Sequence, residues 1–328
     1  MVAGISVIIP NYNGTGLFPH TLPTVFEALE NIHLPYEVIV ADDCSTDNSV
    51  HWLKENYPSV KIVSNKINSG FSVTCNHGVA AAVYDKVLLL NSDVQLTPFY
   101  FHHQLKYFDD EKTFGVMGRI VGWDDDIIQD GAKYPYFQGA KIKTSGNYIL
   151  KDETLMKDGL YTIYLSGANA FIDKGKFLLI GGFNEMFSPF YVEDYELSLR
   201  AWRLGFTCWF DYSSVCRHKV SHTIKSESKK RDIKNIYNRN KMFLHALHLN
   251  GMNRAIWFIQ VSCGCVARLF LLKIYFVKAY CAYLSSFSKI KKYRQQFTAL
   301  SKKTGTCRPV REVANIISNS IKGEVIKF

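Results

Sequence analysis

The sequence predicts an α/β fold, a mostly parallel open sheet flanked by helices, and two observations predict it. Four short apolar runs, residues 5–9, 37–41, 61–64 and 86–90, recur at intervals of about two dozen residues, with helix-like stretches between them. Polar and acidic residues stand where those runs end: Asn11 and Asn13, Asp42 and Asp43, Asn91 and Asp93. Each run is Val-, Ile- or Leu-rich and bounded by Pro, Asn, Asp or Ser, as buried strands are. Between the first two, residues 21–31 place Leu22, Val25, Phe26 and Leu29 at helical spacing. Residues 45–57 open on Ser-Thr-Asp-Asn, a run of capping residues, and 73–84 are rich in Ala and Val. Strand–helix–strand alternation of this kind gives parallel sheets whose ligands lie beyond the carboxyl ends of the strands. Further on, strands are expected over 161–172 and 206–210, and a one-sided helix runs from Ile233 to its stop at Asn250-Gly251.

The 328 residues carry 39 Lys+Arg against 29 Asp+Glu, a net of +10, and the charge is unevenly placed. Residues 1–218 hold 17 basic and 25 acidic side chains, and residues 219–328 hold 22 and 4. The acidic part is long enough to bury a full core. At 47% hydrophobic, the chain is neither disordered nor collagenous nor a small disulfide scaffold. None of the eight cysteines forms a C-x-x-C pair, and reduced thiols are expected. The run at 5–9 is too short for a secretory signal and ends in Pro10, so the catalytic part is expected in the cytosol. Gly14-x-Gly16 lacks the third glycine of a dinucleotide loop, since position 19 is Pro19, and no Gly-x-x-x-x-Gly-Lys-Ser/Thr phosphate loop is present.

The chemistry is expected at three acidic groups: Asp42-Asp43, Asp93, and Glu193-Asp194. Carboxylates at strand ends can hold a divalent cation that in turn binds a diphosphate, and a separate carboxylate can deprotonate a hydroxyl. Around them lies an ordered set of short motifs. These are Ser6-Val7-Ile8-Ile9-Pro10-Asn11-Tyr12-Asn13, Val40-Ala41-Asp42-Asp43-Cys44-Ser45-Thr46-Asp47, Asn68-Ser69-Gly70-Phe71 with Asn76, and Leu89-Leu90-Asn91-Ser92-Asp93. The second half adds Ser166-Gly167-Ala168, Gly181-Gly182-Phe183-Asn184-Glu185, Glu193-Asp194 through Arg200, His218, and Tyr237-x-Arg239-Asn240.

Over roughly residues 4–245 this set resembles the family 2 glycosyltransferases of the GT-A (nucleotide-diphospho-sugar transferase) fold. It is particularly similar to the rhamnosyltransferase-like branch that builds bacterial surface polysaccharides. The resemblance implies an inverting transfer from a nucleotide-sugar donor to a lipid-linked or polysaccharide acceptor, with Mg²⁺ or Mn²⁺ as cofactor. By position, Pro10, Asn11 and Tyr12 would line the nucleotide pocket and Asp43 would accept from the base. Asn68, Gly70, Asn76, Asn91, Ser92 and Gly167 would complete the donor site. Asp93 takes the place of the last aspartate of the D-x-D metal motif, and His218 that of a histidine completing the metal or diphosphate site. Asp194 would be the general base, supported by Glu193. The sequence departs from the pattern in having one carboxylate in Asn91-Ser92-Asp93, and in Asn184 and Glu196 where Asp is usual near the acceptor. His222, four residues after His218, would share a helical face with it. A sugar-nucleotide pyrophosphorylase, or a non-catalytic membrane adaptor that keeps the fold, stays open as an alternative.

Three regions follow: a catalytic domain over 1–220, an amphipathic linking helix over 221–250, and a basic tail over 251–328. Residues 255–267 are thirteen uncharged, mostly apolar positions, too few for a span of about 20. They are expected to form a helix or re-entrant hairpin dipping into one leaflet, with Arg254, Arg268, Lys273 and Lys278 at headgroup level. The Lys289–Arg294 cluster would add attraction to anionic lipid. No nucleic-acid motif accompanies the basic charge, so a nucleic-acid partner is not expected.

Overall fold

The computed structural model describes residues 2–219 and 230–328. His222, which would share a face with His218 if the two lay on a helix, lies outside them, and His218 itself closes a strand. The four apolar runs form β1 (Val2–Asn11), β2 (Tyr36–Asp42), β3 (Lys61–Ser64) and β4 (Tyr84–Leu90). All pair in parallel, in the order β3-β2-β1-β4. The crossovers are α1 (Phe18–Glu30), α2 (Ser49–Asn56) and α3 (Phe71–Ala81). Helix α1 buries Phe18, Leu22, Val25 and Leu29 at helical spacing, and its Pro19 falls in the first turn, where a missing N–H costs nothing.

Beyond β4 the chain reverses. Strand β12 (Asn169–Asp173) pairs antiparallel to β4, and β6 (Thr113–Gly122) antiparallel to β12. Strand β13 (Thr207–His218) then runs parallel to β6, with β11 (Leu160–Tyr161) antiparallel at the edge. The sheet is therefore mixed, not mostly parallel. The expectation failed because β6 and β12 are buried on both faces and read as continuous apolar runs, which hide strand direction. The single strand expected over 161–172 is two strands, with Ser166-Gly167-Ala168 in the loop between them. The strand expected over 206–210 continues to His218.

The basic tail packs onto the same core as the sheet. Helices α4 (Lys174–Leu179) and α5 (Glu193–Arg203) precede α6 (Lys230–His248), α7 (Gly251–Phe270), α8 (Ile274–Leu284), α9 (Phe287–Thr304) and α10 (Val310–Ser320). Phe243, Leu247, Trp257, Val261, Tyr283, Ile290 and Ile317 join Leu89, Met117 and Trp202 in one continuous hydrophobic cluster. The chain ends with β14 (Val325–Lys327) paired to β10 (Tyr148–Leu150). Among the described residues no helix is long and apolar enough to cross a membrane. The outward side of the tail is nonetheless apolar: Phe270 and Leu272 are each 81% exposed, with Ile259, Val266, Leu269 and Leu271 also in the open.

Candidate active site

Parallel register puts Asn11 beside Asp42 at the carboxyl ends of β1 and β2. The Asn11 amide nitrogen donates to Asp42 Oδ1 at 2.9 Å and to Ser45 Oγ at 3.0 Å, while its own Oδ1 is buried without a partner. Asp43 organises the next loop. Its Oδ1 accepts from Asn65 Nδ2 and the Ser69 backbone N–H, both at 2.8 Å, and its Oδ2 from the Gly70 N–H at 2.8 Å. A carboxylate offers about four lone-pair sites, so one remains for a ligand. Pro10 and Tyr12 flank Asn11 half-buried, and Asn68 is exposed on the loop that Asp43 holds. Asn76 spends its amide on the backbone N–H and C=O of Phe183 and on Glu185, a positioning role for the Gly181–Glu185 segment.

Gly70, at φ +85°, is required by a close approach: a Cβ there would lie 2.6 Å from the Pro189 Cα, and Phe71 N–H donates to Pro189 O at 2.9 Å. The Pro189 loop leads into two consecutive left-handed residues, Tyr191 (φ 74°) and Val192 (φ 75°). For a β-branched residue that is a real outlier, and such strain persists only where neighbours fix it. The fixing group is Asn240 on α6, fully buried, whose amide donates to the carbonyls of Phe187, Phe190 and Tyr191 at 2.6–3.0 Å. Arg239 donates to the Ser188 carbonyl beside it. Immediately after this clamp the chain enters α5 at Glu193 and Asp194.

Asp93 and His218, 125 positions apart, are joined by strand pairing. β5 (Val94–Leu96) pairs antiparallel with the end of β13, His218 opposite Val94, so Asp93 Oδ1 lies 3.4 Å from His218 Nε2. On the other side His218 Nδ1 meets Gln129 Oε1 at 3.1 Å, from β7 (Ile128–Asp130). An amide oxygen can only accept, so Nδ1 donates to it and Nε2 is the ring nitrogen turned to the Asp93 carboxylate, available as a ligand once it gives up any proton. Two electron-rich atoms held face to face fit a divalent cation between them, with the orienting second hydrogen bond typical of a ligand histidine. Among the described residues no group of three or more His, Cys, Asp or Glu side chains can hold a metal unaided. A cation here would take its remaining ligands from water and a diphosphate, as magnesium-type sites do.

The Gly167 loop ties this pair to Asp194. Asn91 N–H donates to the Ala168 carbonyl at 3.1 Å, and Gly167 N–H lies 3.5 Å from Asp194 Oδ2. A Cβ on Gly167 would meet the Phe71 ring at 3.1 Å, so the loop passes close. Ser92, next to Asn91, is anchored to α1, its carbonyl accepting from Thr21 Oγ1 at 2.7 Å. Asp194 Oδ1 accepts from the Tyr195 N–H at 2.7 Å. Burial pushes the Asp194 carboxyl up, and the hydrogen bonds from Tyr195 and Gly167 only partly offset it. Burial, then the neighbouring Asp194 charge, pushes Glu193 further up, and its Oε2 is buried without a partner.

The structure thus joins Asp93 to His218, and Asn91 to Asp194 through the Gly167-Ala168 loop, with Ser92 between Asn91 and Asp93 in the chain and Asn11 and Asp43 on the neighbouring strand ends. Glu196 and Asn184, expected near the acceptor, are committed elsewhere: Glu196 is buried against Arg200 and His248, and Asn184 caps the turn at Met186. The sequence reading missed a polar group beside Asp194. Asp130 and Lys133 pair with each other, and Tyr164 OH bonds to Asp130 Oδ2 at 3.2 Å and to Lys133 Nζ at 2.5 Å. Lys133 is the nearby cation that draws Asp194 down, and Asp130 opposes it. Gln129 was missed as well. The acidic stretch around Asp130 was visible, but nothing local shows that β7 returns to the edge of β6.

Comparison with known proteins gives the family. The model of glycosyl transferase family 2 matches residues 6–175. A hyaluronan synthase of Pasteurella multocida is 30% identical over 147 residues, 43% of this chain and 15% of that protein. The matched segment is therefore a small part of that relative. An N-acetylglucosaminyl-diphospho-decaprenol L-rhamnosyltransferase of Mycobacterium tuberculosis is 23% identical over 210 residues, 58% of this chain and 68% of that one. Among solved structures, GalNAc-T7 with UDP, GalNAc and Mn²⁺ has the same fold, at a TM-score of 0.69 and 14% identity over 97% of this chain and 57% of its own. With more than half of its length matched by the family and a GT-A sheet carrying the expected carboxylates, the chain belongs to glycosyl transferase family 2.

Proposed function

We propose that the chain is an inverting glycosyltransferase that moves one sugar from a nucleotide-sugar donor to a lipid-linked or polysaccharide acceptor, at the cytoplasmic face of a membrane. One observation carries the reading: the Gly167-Ala168 loop links the Asp194 carboxylate to the Asn91–Asp93 segment through two backbone N–H groups. A raised but ionisable carboxylate thus sits across a short loop from a carboxylate–imidazole pair suited to a cation. Asp194 takes the proton from the acceptor hydroxyl as its oxygen attacks the anomeric carbon, and the bond to the diphosphate breaks on the opposite face. A single displacement inverts the configuration, so one base suffices. A divalent cation at Asp93 and His218 would supply charge neutralisation for the leaving diphosphate. The clamp of Asn240 and Arg239 holds the strained turn that aims Asp194.

The acceptor class is supported by the rhamnosyltransferase relative, whose name specifies a diphospho-decaprenol substrate. Membrane docking is supported by the open apolar side of α7 and α8, rimmed by the exposed Lys273 and Lys278. Arg268 is less free than expected, since it lies over the Phe276 ring at 4.3 Å. The test is sugar-nucleotide turnover with and without Mn²⁺ or Mg²⁺, in wild type and Asp194→Asn. Turnover that needs the cation and is lost in the variant supports the reading, and unchanged turnover in the variant overturns the base. Release of sugar 1-phosphate on adding pyrophosphate would turn the reading to a pyrophosphorylase.

A further inference from the structure

A second cleft lies between α7, α8 and α9, on elements outside the matched family segment. Its volume is about 830 Å³, in the range of ligand pockets. One wall is aromatic and aliphatic: Trp257, Phe258, Phe287 and Ile290 line it, with Phe258 and Phe287 edge to face at 6.5 Å. Trp257 is fixed from behind by His245, stacked at 5.4 Å. The rim is basic, with Arg254, Lys291 and Arg294, and among the described residues no acidic one lines the cleft. Phe287 is 50% exposed and Phe258 37%, so the apolar wall continues out to the open side of the tail.

We propose that this cleft receives the hydrocarbon chain of an isoprenyl phosphate or diphosphate, the lipid carrier of the acceptor, with the phosphate held by Arg254 and Lys291. The inference rests on the acceptor class proposed above. Two exposed cations, Arg254 and Lys291, that form no ion pair among the described residues stand beside an aromatic wall, and together they select an amphiphile that is anionic at one end and apolar over its length. A free phosphate would leave the wall wet, and a neutral lipid would leave the cations unpaired. Arg294 also links the cleft to the catalytic clamp. It donates to the carbonyls of Ala246, Leu247 and Leu249 at the end of α6, the helix that carries Arg239 and Asn240.

The test is calorimetric titration of the full chain with farnesyl diphosphate, alongside inorganic diphosphate, farnesol and phosphatidylglycerol vesicles. Farnesyl diphosphate is expected to bind and to resist displacement by inorganic diphosphate. Phe287→Asp and Arg254→Glu, both at exposed positions, are each expected to weaken it by about tenfold or more, the equivalent of roughly 1.4 kcal/mol. Binding of the sugar nucleotide should be unchanged in both variants. Equal binding by wild type and variants, no binding at all, or full displacement by inorganic diphosphate overturns the proposal. So does displacement by vesicles alone, which would make the cleft part of the membrane surface. A dimer that Phe287→Asp dissociates in light scattering would mean a second copy fills it. Donor turnover in the same preparations separates a failed lipid site from a failed transferase.

Discussion

Helix α5 carries two acidic clusters one turn apart, and they have opposite fates. At its start Glu193 and Asp194 are buried or half-buried with, among the described residues, no cation bonded to either, and both carboxyls are pushed up. At Glu196 burial pushes the same way, but the Arg200 guanidinium and the His248 ring outweigh it and hold the carboxylate down. Arg200 donates through Nε and Nη2 to the two Glu196 oxygens at 3.1 and 2.8 Å, and caps the Ile180 and Gly182 carbonyls with its remaining N–H groups. His248, held neutral chiefly by its burial, donates from Nε2 to Glu196 at 3.1 Å and meets Arg203 Nη1 through Nδ1 at 3.2 Å. The closed network fixes α5 against α6. The open pair is left with spare basicity, and that is where proton transfer belongs. Acidity on this helix is decided by partners, not by residue type.

The sharpest way to break the comparison is to neutralise the open pair at its base. Asp194→Asn keeps the shape and removes the proton acceptor, so transfer is expected to fall about 10²- to 10⁴-fold. The thermal midpoint should hold or rise, because a buried unpaired charge has been removed. Turnover measured beside a melting curve checks both halves. A large loss of stability with little loss of rate would reverse the assignment of the two clusters.

Neutralising the closed cluster should do the reverse. Glu196→Gln strands the Arg200 charge, and breaking a buried pair in this way costs about 3–5 kcal/mol. Urea unfolding would show the loss, while the rate per folded molecule stays within a few-fold of wild type.

Much of this was legible in the sequence, for reasons that also mark where reading stops. β1 to β4 were found because each is a short apolar run closed by turn residues, and Asp43 and Asp93 stand just past such runs; Asp194 was expected at a strand end too but heads helix α5, and only the motif resemblance marked it. The direction of β12 was hidden, since a strand covered on both faces has no alternation to read. Glu196 read as a departure from the family pattern near the acceptor, and its structural role was hidden because its partner His248 is 52 positions away. Gln129 and Lys133 were missed because only the return of β7 to the edge of β6 brings them to His218 and Asp194. Long-range register, not local pattern, assembles the second half of the cleft.

A smaller effect sharpens the comparison through pH. Asp194 works as a base only when deprotonated, and its carboxyl is raised, so transfer should decline on acidification well above the usual aspartate value of about 3.9. Lys133→Met removes the cation that pulls Asp194 down, so the acid limb of the rate profile should move to higher pH. The alkaline plateau should keep its height. A scaled profile with an unmoved limb would show that Lys133 only holds the loop.

The smallest effect is on Glu193, and its sign is the most telling. In the folded chain this carboxyl keeps its proton above the ordinary glutamate range, so the folded state binds more protons than the unfolded one. Stability must then fall as pH rises from the unfolded value, about 4.3, through the folded one. Glu193→Gln removes that slope, so the variant is expected to match wild type near pH 5 and to exceed it in melting temperature near pH 9. Paired melts across that interval check it. If wild type gains stability with pH instead, Glu193 has found a cationic partner, and the open pair is no more open than Glu196.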